Sequence, residues 1–312
     1  MDFRLCSLNV RTLRGRSGEI VEMLERRSID ISCVQEVRWR GKSCRMIAGK
    51  ATKYKLFWIG SDSSFGGVGV LLAEKWIDKV IDVNRVSDRI ILIKLMVQES
   101  ILSVISVYAP QCGLDDVQKD RFYDSLINVA GKLGGKKIAV IAGDFNGHVV
   151  KSIDGYDSLH GGYGYGDRNK EGERILEFCA AMDMIVANTF FKKRDSHLVT
   201  YESGSAKTQV DYCLVRKGQR KLLKDIKVVP SEECITQHKP VICNLKIKKV
   251  KSTRRRFVPR RKIWKLYESS VKSDFSLYVK DFREGHNTTP SVEGYWKVLK
   301  ESLLDAAERT CG

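Results

Sequence analysis

The sequence predicts an α+β fold: two packed mixed sheets with helices on their outer faces, a four-layer α/β/β/α sandwich, followed by a helical C-terminal tail. Three observations predict it. Apolar, β-rich runs outnumber helical periods and often follow one another directly, so a strictly alternating parallel sheet does not fit. Polar residues recur at the ends of those runs, the pattern of a site at one rim of a sandwich. The chain of 312 residues is long enough for one two-sheet domain of about 250 residues.

Taken in order, Arg4-Leu5-Cys6-Ser7-Leu8-Asn9 reads as a strand ending in Asn9. Residues 17–28 carry Ile20, Val21 and Leu24 at helical spacing, with Ser17 as N-cap. The strand from Ile29 ends at Gln35-Glu36, and further strands are expected at 54–60, 67–73, 89–97 and 101–108, the last ending at Tyr108. Residues 116–133 read as a second helix with Val117, Phe122, Leu126, Val129 and Leu133 on one side. Lys136 to Ala142 is a buried strand that delivers Gly143-Asp144-Phe145-Asn146 at its end. Residues 151–169 are polar, Gly-rich and irregular. Gly172 to Met182 reads as a third helix, with Ile175, Leu176, Phe178 and Cys179 inward. Strands are expected at 184–188, 199–202, 208–215, 225–229 and 240–247; Asp211 lies inside one, and His238 stands just before the last.

The charge is unevenly placed. Lys246 to Lys262 holds ten Lys or Arg and no acid, so residues 249–262 read as a basic linker after a domain spanning 1–248. Residues 262–283 and 291–309 then place apolar residues at spacings of three and four, a helical tail over 263–312. Two such helices are too small for a stable core alone, so they are expected to pack on the domain, on a protein partner or in a dimer.

A net charge of +17 implies polyanionic partners, nucleic acid ahead of membrane surface; a basic surface without a dedicated ligand is the bland alternative. No apolar run approaches the about 20 residues that span a bilayer, and no secretory signal is visible. Nine cysteines, with no CxxC pair, argue against a zinc site; most lie in apolar runs, as reduced core residues of an intracellular protein do.

Gly143-Asp144-Phe145-Asn146 is the most informative stretch. A carboxylate can hold a metal or take a proton, and a carboxamide two residues on can hold an oxygen without adding charge. The pair suits phosphate-ester chemistry, although Asp, Asn and Gly are also ordinary turn residues. Asn9, Gln35-Glu36, Tyr108, Gly143-Asp144-Phe145-Asn146, Asp211-Tyr212 and His238 occur in the order seen in the endonuclease/exonuclease/phosphatase superfamily, which residues 1–248 resemble. A closer resemblance is to the endonucleases of RTE-type LINE retrotransposons and the domesticated craniofacial development protein 2 (bucentaur-related) sequences. Asn9-Val10-Arg11-Thr12-Leu13, Val34-Gln35-Glu36-Val37-Arg38-Trp39 and Gly164-Tyr165-Gly166-Asp167-Arg168-Asn169 followed by Gly172 carry it.

The resemblance implies a deoxyribonuclease-like fold and a Mg²⁺ site, with Mn²⁺ able to substitute, formed by Glu36 with Asn9. It implies that Asp144 activates water, that Asn146 holds a phosphate oxygen, that His238 acts at phosphorus with Asp211 fixing its tautomer, and that Tyr108 donates to phosphate or the leaving oxygen. Arg11, Gln111, Tyr201 and Gln237 are expected to face the substrate, as are Arg254, Arg255 and Arg256 of the linker. Two residues depart from the family pattern. Gln237 stands where an Asp usually precedes the His, and Arg11 stands where abasic endonucleases often have Asp. The expected function is Mg²⁺-dependent nicking of DNA to leave 3′-hydroxyl and 5′-phosphate ends, with abasic sites among the targets, in a retrotransposon-derived nuclear protein. The rival expectations are a nucleic-acid- or chromatin-binding protein whose nuclease has decayed, and a phosphatase of the same fold acting on an inositol phosphate or lipid.

Overall fold

Five strands open the first sheet: β1 (Asp2–Asn9), β2 (Ile31–Gln35), β3 (Lys42–Ala48), β4 (Lys53–Ile59) and β5 (Val68–Ala73). The second sheet takes β6 (Val80–Ser87), β7 (Ile90–Val97), β8 (Ser100–Tyr108), β9 (Ile138–Asp144) and β10 (Met184–Val186). A small hairpin, β11 (Tyr201–Ser203) and β12 (Ala206–Thr208), precedes β13 (Asp211–Arg216), which joins the second sheet. The chain returns to the first sheet through β14 (Leu223–Val228) and β15 (Val241–Lys246). This computed structural model describes residues 1–62, 65–134, 137–151, 153, 155–232, 237–247, 262–285 and 291–311.

The sheet orders are β14-β15-β1-β2-β5-β4-β3 and β10-β13-β9-β8-β7-β6. Each sheet contains one parallel pair, β1 with β2 and β8 with β9, and is otherwise antiparallel. The two parallel pairs face each other across the sandwich, β1 against β9 and β2 against β8. Their C-terminal ends therefore meet at one rim, the rim that carries the polar strand ends.

Alternation explains why the central strands read as unbroken apolar runs. In β7, Ile91, Ile93 and Leu95 fill the core between the sheets, while Ile90 and Leu92 enter a second core. In β9, Ile138, Val140 and Ala142 go inward and Ala139 and Ile141 outward. Helices α2 (Asp116–Gly131) and α3 (Lys170–Ala181) close that second core with Phe122, Leu126 and Val129, and with Ile175, Leu176, Phe178 and Cys179. Helix α1 (Ser17–Arg26) buries Ile20, Val21, Met23 and Leu24 with the first sheet. The result is the α+β sandwich of two large sheets between helices.

The local differences have plain causes. Ser17 is the first helical residue of α1, and the preceding Arg16 makes no side-chain cap. Val117 points out at 59% exposure instead of joining the apolar side of α2. Helix α3 starts at Lys170 because Asn169 caps it, accepting from the Gly172 N–H at 2.8 Å. The expected strand 208–215 is divided between β12 and β13. Strands β3 and β6 escaped prediction because they are sheet edges that bury little: Ile47 is the one buried residue of β3, and β6 has none, whereas the expected edge strands β10 and β14 bury several.

The chain divides into two units, Met1–Val250 and Lys251–Gly312. In the second, Ile263–Tyr267 form a short 3₁₀ turn before α4 (Ser269–Glu284), where one helix over 262–283 was expected. Helix α5 (Val292–Cys311) packs on α4, with Arg283 donating to the Tyr295 hydroxyl at 2.5 Å and Arg309 stacked over Tyr278. Arg254, Arg255 and Arg256 lie outside the described residues. Among the described residues, no helix is long and apolar enough to cross a membrane.

Candidate active site

The register brings the polar strand ends together. Asn9 lies opposite Gln35 across β1 and β2, Tyr108 opposite Asp144 across β8 and β9, and Asp211 opposite Asp144 across β13 and β9. His238 forms a bridge with Tyr201 just before β15. Ends of parallel strands and beginnings of their antiparallel neighbours thus share one rim.

Asn9 is the hub. Its Nδ2 donates to Glu36 Oε1 and to Asp144 Oδ2, each at 3.0 Å, and its Oδ1 accepts from the Arg11 N–H at 3.0 Å. Glu36 also accepts from Arg38 Nη2 at 2.6 Å and from the Tyr108 hydroxyl at 3.2 Å. Gln111 Nε2 lies 3.5 Å from that hydroxyl. Asp144 Oδ1 accepts from the Asn146 N–H at 3.0 Å, and Asn146 Nδ2 donates one of its hydrogens to Ala109 O at 2.9 Å. An amide carries two N–H bonds, so one remains for a ligand.

On the other side, His238 Nδ1 lies 3.0 Å from Asp211 Oδ2. The carboxylate accepts, so Nδ1 carries a proton and Nε2 faces Asp144 Oδ2 at 3.8 Å. Thr200 Oγ1 accepts from the Asp211 N–H, and the Tyr201 ring packs 4.8 Å from the imidazole. Gln237 donates to Ser203 Oγ at 2.9 Å, which ties it to the β11–β12 hairpin. Asp211 Oδ1 is buried without a hydrogen-bond partner among the described residues.

Three local devices set these side chains. Asn9 accepts from the N–H of Arg11 and Asp144 from that of Asn146, the i to i+2 pattern of an Asx turn. Arg11 and Asn146 then take φ of +58° and +49°. Glu36 and Arg38 repeat the spacing with φ of +54° and +53°. Left-handed backbone at a non-glycine costs about 1–3 kcal/mol, and four cases at one rim mark a site where geometry outweighs local ease.

The charges are coupled. Burial opposes ionisation of Glu36, but hydrogen bonds from Asn9, Arg38 and Tyr108 and the Arg38 charge outweigh it and hold the carboxyl below its ordinary range. Burial pushes the Asp144 carboxyl up, against the attraction of His238. Burial disfavours the His238 cation, yet the Asp211 and Asp144 carboxylates prevail and push it up to about 9. Burial and the Glu36 and Asp144 charges push the Tyr108 phenol up, so it remains a donor at neutral pH. One donor atom each from Asp144, Asp211 and His238 lie within 4.8 Å of one another, a grouping able to hold a divalent cation.

A cavity of about 540 Å³ opens onto this cluster. Asn9, Arg11, Glu36, Tyr108, Gln111, Asp144, Asn146, Tyr201, Gln237 and His238 line it, and Asp211 stands behind His238. It also contains residues that sequence reasoning did not single out: Arg38, Cys112, Gly113 and His148. A second basin of about 370 Å³ shares Glu36, Arg38, Tyr108 and Gln111 and adds Phe65 and Arg89. Phe65 is 71% exposed there, and Arg89 stacks 5.2 Å over the Tyr108 ring. The Arg38 Nε is buried without a hydrogen-bond partner among the described residues. The signal for Arg38 was present in the sequence as the repeated spacing Asn9-x-Arg11, Glu36-x-Arg38, Asp144-x-Asn146.

No family model matches the chain. Craniofacial development protein 2 from Bos taurus is 28% identical over 256 residues, covering 80% of this chain and 42% of the relative. The protein of the same name from Tragulus javanicus is also 28% identical over 256 residues, with 80% and 43% covered. The chain therefore spans less than half the length of the curated relatives it matches. Among solved structures, the APE2 catalytic domain of Xenopus laevis aligns with a TM-score of 0.61 at 18% identity, covering 78% of this chain and 92% of that one. The AP endonuclease LMAP of Leishmania major aligns at 0.60 and 11% identity, covering 79% and 88%. The endonuclease domain of TRAS1, a telomere-specific non-LTR retrotransposon, aligns at 0.56 and 12% identity, covering 79% and 99%. These likenesses establish the shared fold.

Proposed function

We propose that this chain is a Mg²⁺-dependent DNA endonuclease that nicks one strand to leave 3′-hydroxyl and 5′-phosphate ends. In this reading it derives from a retrotransposon endonuclease, acts on abasic sites among others, and works in the nucleus. The observation that carries the reading is the Asn9 amide, which holds Glu36 and Asp144 at 3.0 Å each in the cavity that also contains His238. The fold shared with AP endonucleases and a retrotransposon endonuclease domain supports it, as does the net charge of +17.

The residues present fit a hard divalent cation. Glu36 is held ionised at the cavity wall, and the Asp144 carboxylate and the Asn146 carboxamide line the same cavity. Glu36 would be the ligand, and Asn9, whose Nδ2 donates to Glu36 Oε1 at 3.0 Å, would hold it in place as the other residue of the metal site. The Asp144–Asp211–His238 grouping is the weaker candidate for Mg²⁺, because one of its three donors is an imidazole nitrogen and Mg²⁺ favours oxygen. When bound, the cation neutralises charge on a phosphate oxygen. Asp144 orients the attacking water and takes its proton. His238 presents Nε2 to the phosphate while Asp211 holds Nδ1–H. The second N–H of Asn146 donates to a non-bridging phosphate oxygen, and Tyr108 donates to phosphate or to the 3′ oxygen that leaves as the P–O3′ bond breaks. Arg38, released from Glu36, and Arg89 receive the flanking strand.

The deciding experiment is nicking of supercoiled plasmid in Mg²⁺ with an EDTA control. Open circles that religate without end repair are the expected product; intact plasmid across Mg²⁺ and Mn²⁺ overturns the reading.

Gln237 bears on the metal site. A carboxylate there restores one negative charge near the cluster, so Gln237→Asp lowers the Mg²⁺ concentration for half-maximal nicking. An unchanged or raised midpoint in a Mg²⁺ titration rejects this.

The basic run from Lys246 to Lys262 is assigned to phosphate contacts, with a nuclear import signal or a solvated connector as the alternative roles. Replacing Arg254, Arg255 and Arg256 with Ala weakens DNA binding uniformly across sequences. It flattens the slope of log K against log salt by up to about 2.7, at roughly 0.9 for each phosphate no longer neutralised. An unchanged slope in a nicking-competent variant removes the linker from the DNA interface.

A further inference from the structure

We infer that His148 contacts the nucleic-acid backbone next to the scissile phosphate, on the Cys112–Gly113 wall of the cavity. The inference deepens the endonuclease reading and rests on it. Asp144, Asn146 and His148 all line the cavity, while the intervening Phe145 and the following Val149 are buried in the outer core. The two-residue spacing that presents the carboxylate and the carboxamide thus presents an imidazole as the third group in the same row.

The backbone beneath His148 is clamped. Asn169 Oδ1 accepts from both the His148 N–H and the Gly172 N–H, each at 2.8 Å. A Cβ on Gly172 would lie 1.7 Å from the His148 carbonyl oxygen, and one on Gly147 would lie 2.7 Å from the Glu171 carbonyl carbon. Two glycines therefore permit this segment to press against the start of α3, and any larger residue displaces it. The facing wall is fixed as well, since the Lys119 ammonium donates to the Cys112 carbonyl at 2.8 Å and to Glu171 at 2.7 Å. Such bracing around a half-buried side chain is what a positioned contact requires.

The ring itself is uncommitted. Among the described residues, no hydrogen bond engages either ring nitrogen of His148, in contrast to His160, His197 and His238, each of which has a ring partner. Burial holds its imidazole below the ordinary histidine range, so it is neutral at pH 7 with one N–H to donate. A neutral donor suits a phosphate oxygen and adds no fixed charge beside the Asp144 carboxylate.

The test separates binding from chemistry. Binding of a short fluorescein-labelled DNA duplex is measured by anisotropy in EDTA, and nicking kinetics are measured on plasmid in Mg²⁺, for the full chain and its variants. His148→Ala raises the dissociation constant and KM by about tenfold, the usual scale for one hydrogen bond to a charged group, with kcat within a few-fold. His148→Gln, which keeps an N–H donor, recovers most of the affinity. Unchanged affinity and KM in His148→Ala overturn the inference, as does a loss in kcat alone or equal losses in both variants. If the unaltered chain binds the duplex but never nicks, the endonuclease reading fails and not this contact.

Discussion

Glu36→Gln and Asp144→Asn each slow nicking by about 10²–10⁴-fold, the range for losing a positioned acid, base or charge stabiliser. The reason lies in the hub geometry. Asn9 Nδ2 gives one hydrogen to each carboxylate, so Glu36 and Asp144 are held by the same amide. Glu36→Gln removes the charge that pairs with Arg38 and, in this reading, with the cation. Asp144→Asn removes the oxygen that lies 3.8 Å from His238 Nε2 and, in this reading, the base for water. Both substitutions conserve volume, so thermal melting should show folded protein. The two differ in metal response. Raising Mg²⁺ partly rescues Glu36→Gln and does nothing for Asp144→Asn. Wild-type rates in either purified variant would sink the assignment.

The site's members were legible in the sequence because a polar residue ending an apolar strand is conspicuous. Asn9, Tyr108 and Asp144 end strands of the two facing parallel pairs and Glu36 follows another, and the polar residues inside those strands are mostly serines, which do not carry a charge. What stayed hidden was anything whose meaning depends on convergence. His148 looks like an ordinary loop histidine until Asn169, twenty-one residues on, proves to hold its backbone. Arg89 sits in the turn between β6 and β7, and only the β7–β8 register places it beside Tyr108. Phe65 sits in a short polar loop with no periodicity of its own. Edge strands β3 and β6 were invisible for a different reason: a strand that buries little carries no apolar alternation to detect.

Asp211→Asn lowers nicking by about 10²–10³-fold, and it does so through His238. Asp211 lies behind the imidazole at 3.0 Å, fully buried, with its N–H held by Thr200. Its charge favours the protonated ring, and its acceptor oxygen fixes the proton on Nδ1. An asparagine can keep the hydrogen bond but not the charge, so Nε2 becomes a weaker partner for phosphate. A residue that acts through another shows it by non-additivity. His238→Ala alone should cost at least as much as Asp211→Asn, and the double variant should be no slower than His238→Ala. The alternative is that Asp211 helps hold the cation, which its unpartnered Oδ1 and its place in the Asp144–Asp211–His238 grouping would permit. In that case the two losses multiply, and Asp211→Asn raises the Mg²⁺ concentration for half-maximal activity while His238→Ala does not. A double-mutant cycle run across a Mg²⁺ titration therefore decides between an imidazole anchor and a metal ligand. Additive losses with a shifted midpoint would move Asp211 from the first role to the second.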